Sequence, residues 1–344
     1  MKSIPITLEE AEAYSLTKRV LAPFEHTDLR PLYPGHEHLY DPKLQVLEFD
    51  DCLVSREGFI QLANGKMISD IGYQKDLPRA QENLDRATRN PENVARVDTP
   101  VILVGGHNNY YHWHLNWMPR IVLADRFEDL RDVPLLVHAQ PSGYVLDSLA
   151  EVTGRGSENL KTLTGPVMRL DKVFVPTMFL NPLHAPFALR SYQKQRRQIS
   201  IEGGRRLYIS RARAPLRRVL NEPEVEKLLG EYGFETILAE DLSYSQQTGI
   251  FSQASHVIGA HGAGLTNILF CNPGLAVIEL LNEYYTRVYW SLSQAMGSRQ
   301  YRQIKSSNIR LPEGETDPIQ IMKNSDFFVD LEALRREVEI ILRA

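Results

Sequence analysis

The feature that most constrains this chain is the alternation of short apolar runs and helix-start signals through its second half. Arg206-Leu-Tyr-Ile-Ser210 is an apolar run, and Asn221 then opens Asn-Glu-Pro-Glu-Val-Glu-Lys-Leu-Leu. Asn at a cap, Pro in the first turn and Glu224 three residues on are helix-start chemistry. Gly233 ends that helix, and Glu235 to Leu238 is the next strand. Ser243 with Gln246 repeats the capping-box spacing before a helix reaching about Ala254. His256 to Gly259 reads as a strand, Gly264 to Phe270 as a short helix and Ala276 to Leu280 as a strand. Tyr284 to Met296 has helical length, and Tyr301 to Ile304 adds a last strand. Strand and helix alternating at this spacing predict a parallel sheet covered on both faces, a Rossmann-like domain over about 200–317.

The first half is less regular. Val101 to Val104, Leu135 to His138 and Lys172 to Pro176 read as strands of a second α/β unit, with a helix from about Asn109 to Phe127. Before about residue 95 only short, turn-rich pieces are legible. Arg190 to Gly204 is the expected connection. At 344 residues the chain suits two domains, 1–195 and 200–317. The terminal helix, Phe328 to Leu342 within 326–344, is expected to leave the second domain and pack elsewhere.

Hydrophobic residues at 43% and charged residues at 24% are those of a soluble globular protein. A net charge of -4 provides no overall basic field to recruit nucleic acid. Cys52 and Cys271 stand far apart, so neither a disulfide framework nor a metal set is expected, and a reducing compartment is. The first twenty residues lack the apolar core of a signal peptide, and the longest apolar runs are strand-sized. The expectation is a cytoplasmic protein without a transmembrane segment. Peripheral association with a membrane is left open, and no signal bears on oligomeric state.

The chemistry is expected at His261-Gly262-Ala263-Gly264-Leu265-Thr266-Asn267, where a buried strand runs through a glycine turn into a helix. Glycines there permit positive φ and close backbone approach, the helix presents its first amides to an anion, and His261 and Asn267 add side-chain donors. A plain packing turn is the competing reading. The spacing is neither G-x-G-x-x-G nor a Walker loop. Glu279, placed at the end of its strand, is a candidate for ribose hydroxyls. Among Arg205, Arg206, Arg211, Arg213, Arg217 and Arg218 most are expected on a solvated face. Arg211 leads as a phosphate clamp and Arg218 is second.

In the first half, His112, Asn116 and Arg120 fall four apart and share a helix face with Asn109 nearby. Such a stripe reads as cleft-facing, with His112 as a general base. A hydrogen-bonded core histidine is the alternative. His107, His112 and His114 are poor metal ligands together, since 112 and 114 diverge on a helix and no carboxylate completes the set.

Taken in order, Asn109-Tyr-Tyr-His-Trp113 with Pro119-Arg120, Tyr208-Ile-Ser-Arg211, Asn221-Glu222, Leu242-Ser-Tyr with Gln247, Gly259 to Asn267, Pro273-Gly274 and Val277-Ile-Glu-Leu280 resemble glycosyltransferase family 61 over roughly residues 100–300. The resemblance implies a GT-B fold of two Rossmann-like lobes facing across a cleft, with the terminal helix packed back on the first. It implies a nucleotide-sugar donor, uridine-linked, on the C-terminal lobe, and an acceptor on the N-terminal one. Inversion at the anomeric carbon without an obligatory metal or other cofactor also follows from it. Similar bacterial proteins work in capsule and exopolysaccharide synthesis, and similar eukaryotic ones are Golgi xylosyl- and N-acetylglucosaminyltransferases. Similar proteins often carry Asp or Glu where this chain has Asn116, which leaves His112 as the base and Asp125 in reserve. A GT-B nucleotide-sugar epimerase and a non-catalytic glycan- or nucleotide-binding protein are the alternatives.

Overall fold

The Gln45–Ser55 strand, the longest in the protein, lies in the stretch where the sequence shows only turn-rich fragments. Val46, Leu47, Phe49, Cys52 and Val54 are all buried, so both faces of the strand are covered and no inside-outside alternation marks it. The computed structural model describes residues 3–20, 43–105, 109–137, 140–179, 186–192, 204–284, 286–306, 309–311, 314 and 316–343. His107, His138 and the 193–203 part of the expected connection lie outside them. The chain divides into two compact units, one through Ser191 and one from Tyr192 onward.

The first unit is mixed α/β. Gln45–Ser55 runs antiparallel to Val167–Pro176, pairing Phe49 with Val173 and Leu47 with Val175. From Val167–Pro176 the sheet continues in parallel through Val101–Gly105, Leu135–Val137 and Leu160–Thr162. On its other flank, short strands at Ile60–Gln61, Lys66–Ile68 and Ile4–Ile6 extend it. The helix Leu77–Arg89, opened by Pro78, buries Ala80, Leu84 and Ala87 in the same core as Leu47 and Phe49.

The helix expected from Asn109 to Phe127 is present but not uniform. Asn109 caps it, its Oδ1 accepting from the His112 amide, and Tyr110–His112 is α-helical. Trp113–Trp117 widens into a π turn before Met118–Ala124 resumes the α form. Pro119 supplies the cause: without an N–H it cannot bond the carbonyl four residues back, and a wider turn absorbs the break. His112 and Asn116 still meet across the widened turn, and everything from Trp113 to Ala124 is buried.

The second unit carries a five-stranded parallel sheet. In chain order its strands are Arg205–Ile209, Phe234–Ile237, Ala254–Ala260, Ala276–Leu281 and Gln300–Lys305. In space they stand second, first, third, fourth, fifth. The helices Glu222–Glu231, Tyr244–Phe251 and Val288–Ala295 and the 3-10 helix Ala263–Phe270 follow the sequence expectation closely. Ser243 and Gln246 form the reciprocal capping box. Asn221 precedes its helix but does not cap it; its amide instead exchanges hydrogen bonds with the Val329 backbone.

That bond helps fix the C-terminal helix, Leu331–Arg343, which packs within the second unit. Leu334, Val338 and Ile341 are fully buried in one core with Tyr208, Ile258 and Ile278. Each such side chain contributes about 2 kcal/mol of hydrophobic stabilisation. The amphipathic spacing of this helix is visible in the sequence, but its acceptor surface is set only by the fold.

Candidate active site

The chain order of the parallel sheet reverses between its first and third strands. In open α/β sheets ligands bind beyond the carboxyl ends of the strands at such a switch point. Here those two strands end at Ile209-Ser210-Arg211 and at Ala260-His261-Gly262. The Arg211 guanidinium lies directly over Gly262: a Cβ added there would sit 2.0 Å from Nη1. Gly262 has φ 169, which any residue adopts, so it is room for Arg211 and not a left-handed backbone that requires glycine. Gly264 is likewise required by contact, its Cβ position being 2.9 Å from the Ile209 side chain.

Arg211 is held by backbone. Its Nε donates to the Arg217 carbonyl at 3.1 Å and its Nη2 to the Leu216 carbonyl at 2.6 Å. Arg217 has φ 56, in the left-handed region that residues other than glycine rarely occupy, and its Nε is buried without an acceptor. Burial first, and the neighbouring charge of Arg217 second, push Arg211 down to about 10. Burial also lowers Arg217. Neither guanidinium forms an ion pair among the described residues. Arg218, the second clamp candidate, is committed elsewhere: Nε and Nη2 donate to Asp326 Oδ2 at 3.0 and 2.7 Å.

His261 borders the same turn, its ring edge-on to Tyr289 at 5.1 Å between centroids. Its Nδ1 lies 2.7 Å from Glu279 Oε1. Glu279 is not at an exposed strand end. It pairs in register with Gly259 and Gln303, is 0% exposed, and accepts at Oε2 from Tyr301 and Gln303 at 2.5 and 2.7 Å. Burial and the adjacent carboxylate raise the Tyr301 phenol, which stays a donor. Ala263 and Gly264 open the 3-10 helix beside His261, while Leu265 and Asn267 are interior. The Asn267 amide is bound to Gln247 Oε1 and to the Gly264 carbonyl, and so ties two helices together.

The first unit holds a second cluster. His112 Nδ1 is 2.8 Å from Asn116 Oδ1, the Tyr73 hydroxyl donates to the same oxygen at 2.6 Å, and it also meets His112 Nδ1. Asn116 Nδ2 donates to the Phe179 carbonyl at 2.5 Å. Burial raises the phenols of Tyr73 and Tyr111. His112 is half-buried, whereas Arg120 is fully enclosed. Arg120 donates to the carbonyls of Val104 and Pro176 at 2.9 and 3.0 Å and is pushed down to about 9 by burial. It braces two strand ends from inside and does not line a cleft. Trp117 crosses Gly105, φ 142, where a Cβ would lie 2.3 Å from the indole. Asp125, the reserve base, is bound by Arg155 at 2.9 and 2.6 Å.

Among the described residues, no group of three His, Cys, Asp or Glu side chains is placed to hold a metal, and no helix is long and apolar enough to cross a membrane. A groove of about 450 Å³ bordered by Asp51, Asn64, Thr88 and Arg169 shares no residue with either cluster. Arg169 there is already paired with Asp51.

Residues 110–278 match the family described as Glycosyltransferase 61, a segment that runs from the first turn of the His112 helix into the fourth strand of the parallel sheet. The likeness to glycosyltransferase family 61 covers just under half of the chain. It is 33% identical over 111 residues to an EGF domain-specific O-linked N-acetylglucosamine transferase of Drosophila melanogaster, covering 31% of this chain and 21% of that protein. It is 35% identical over 63 residues to a beta-1,2-xylosyltransferase of Oryza sativa subsp. japonica, covering 18% and 12%. The matched segments therefore span about a fifth or less of these relatives' lengths. Tyr73, Tyr301 and Gln303 fall outside the family match and lie in no recognisable motif. Arg217 was visible only as one arginine in a run, since which guanidinium turns inward depends on its left-handed backbone.

Proposed function

We propose that this chain belongs to family 61 and is an inverting glycosyltransferase that moves a sugar from a nucleotide diphosphate donor, uridine-linked, to a hydroxyl of a glycan or other acceptor. The second unit takes the donor and the first the acceptor, as the two lobes of a GT-B enzyme. The carrying observation is the pair of half-buried guanidiniums, Arg211 and Arg217, at the switch point of the parallel sheet. Cations drawn partly out of water without counter-charge are costly unless an anion completes them. A diphosphate is such an anion, and planar guanidiniums match its oxygens.

In this reading the acceptor oxygen attacks the anomeric carbon and its proton passes to His112. The bond from that carbon to the diphosphate oxygen breaks, with its electron pair leaving on the diphosphate. Arg211, Arg217 and His261 meet the developing charge. Glu279 serves the donor through His261, whose Nδ1 it holds, and not by touching ribose. Two guanidiniums supply positive charge where other enzymes use a divalent ion, so transfer is expected to persist in chelator. The beta linkage in the name of the rice relative fits inversion of an α-linked donor. A role in making capsule or another cell-surface polysaccharide is carried by the family resemblance.

Calorimetric titration with uridine diphosphate tests the reading. Binding is expected, weakened at least tenfold in Arg211→Ala, on the order expected for one lost charge-assisted hydrogen bond. A folded protein that binds neither uridine diphosphate nor any nucleotide sugar would overturn it.

A further inference from the structure

The contacts at His112 Nδ1 favour one tautomer of its ring. The Phe179 carbonyl can only accept, so the Asn116 amide must present its NH2 there. Asn116 Oδ1 is thereby turned toward His112 Nδ1 at 2.8 Å and toward the Tyr73 hydroxyl at 2.6 Å. Suppose Nδ1 carried a lone pair. The single phenolic proton would then have to serve two acceptors, and Nδ1 would face an amide oxygen across a hydrogen-bond distance with no proton between them. With the proton on Nδ1, the ring donates to Asn116 and the phenol donates to the same oxygen, so two protons serve the three short contacts where the other tautomer offers one. Burial keeps the Tyr73 phenol protonated for this purpose.

We propose that Asn116 and Tyr73 are positioning residues that hold neutral His112 in its Nδ1–H form, which places the lone pair on Nε2 as the base for the acceptor hydroxyl. This rests on the glycosyltransferase reading for its catalytic half but not for its tautomeric half. The acceptor proton moves to Nε2, and the imidazolium so formed keeps its Nδ1–H bond to Asn116. An amide fixes the ring without adding charge. Asn116 in place of a carboxylate therefore leaves the base in working order. Imidazole unconstrained in water prefers the Nε2–H form, so losing Asn116 masks the basic nitrogen.

The test has two arms. In 15N-histidine-labelled protein, two-bond proton–nitrogen correlations assign the tautomer, with His112→Gln locating the signals. Wild type and Tyr73→Phe are expected to show Nδ1–H, and a predominant Nε2–H form in wild type overturns the proposal. In the second arm, kcat/KM is measured against pH. Asn116→Asp is expected to keep activity within about tenfold while its acid limb moves to higher pH, because a carboxylate favours the charged ring. Asn116→Ala is expected to lose about a hundredfold, within the range of general-base catalysis, without change in donor affinity. Asn116 also satisfies the Phe179 carbonyl, so Tyr73→Phe provides a milder variant. It should lose less than about tenfold if the hydroxyl supports but does not replace the Asn116 bond. An Asn116→Asp protein that is folded and as inactive as Asn116→Ala, or whose pH profile is unmoved, overturns the positioning role. The correct tautomer with no transfer activity at all would sink the glycosyltransferase reading and leave the tautomer assignment standing.

Discussion

Two histidines stand in the two units, and each is held at Nδ1 by a side-chain oxygen. His112 meets an amide oxygen and a phenol, and His261 meets a buried carboxylate. An amide orients a ring and contributes no charge, as the proposed base, neutral before it takes a proton, requires. A carboxylate orients a ring and adds a negative charge behind it, as suits a ring proposed to meet an anion beside two guanidiniums. The contrast extends to the cations. Arg120 in the first unit spends its guanidinium on two strand-end carbonyls and is structural. Arg211 is also held by carbonyls, yet lies over a glycine at the mouth of the sheet.

The comparison breaks most readily at His112. His112→Ala is expected to lower kcat by about a hundredfold to ten-thousandfold, the range of general-base catalysis, with uridine diphosphate affinity unchanged. Steady-state rates with calorimetry on the same preparation check this, and full activity would remove His112 from the role. On the other side, Arg211→Ala and Arg217→Ala should each weaken uridine diphosphate binding by about ten- to a hundredfold. Equal affinity in the Arg217 variant would mean that its left-handed backbone serves packing alone. Gly262→Ala is expected to act in the same direction and more weakly, because the added methyl displaces Arg211. Glu279→Gln should cost less than about tenfold in donor affinity if orientation of His261 is its main contribution; a larger loss would assign it a direct contact.

A separate effect lies in stability against pH. His114 in the first unit and His256 in the second are neutral in the fold, since burial pushes them down to about 3 and about 4. In the unfolded chain both take a proton below about pH 6.5. Their contribution is therefore complete above pH 6.5 and is lost as pH falls, down to about 4 for His256 and about 3 for His114. The slope is at most about 1.4 kcal/mol per histidine for each pH unit. Thermal unfolding between pH 7 and 4 should show falling midpoints, flattened by His114→Gln. A midpoint independent of pH in that window would contradict buried neutral rings.

The parallel sheet was legible because its strands and helices follow each other locally. Capping at Ser243, the stop at Gly233 and the turn at Gly262 are each decided within a few residues. The mixed sheet was not, because Gln45–Ser55 pairs with a strand more than a hundred residues away and is buried on both faces. Periodicity cannot mark such a strand.

The site divides along the same line. The sequence by itself placed His112, Arg211 and His261, since each follows a strand or cap at a spacing the backbone dictates. Only the tertiary structure decided what each touches. It paired Arg218 with Asp326, buried Glu279 against His261, enclosed Arg120, and brought Tyr73 to the ring of His112. The physical reason is that a side chain's chemistry depends on its partners, and partners across a sheet or beneath a helix have no fixed offset along the chain.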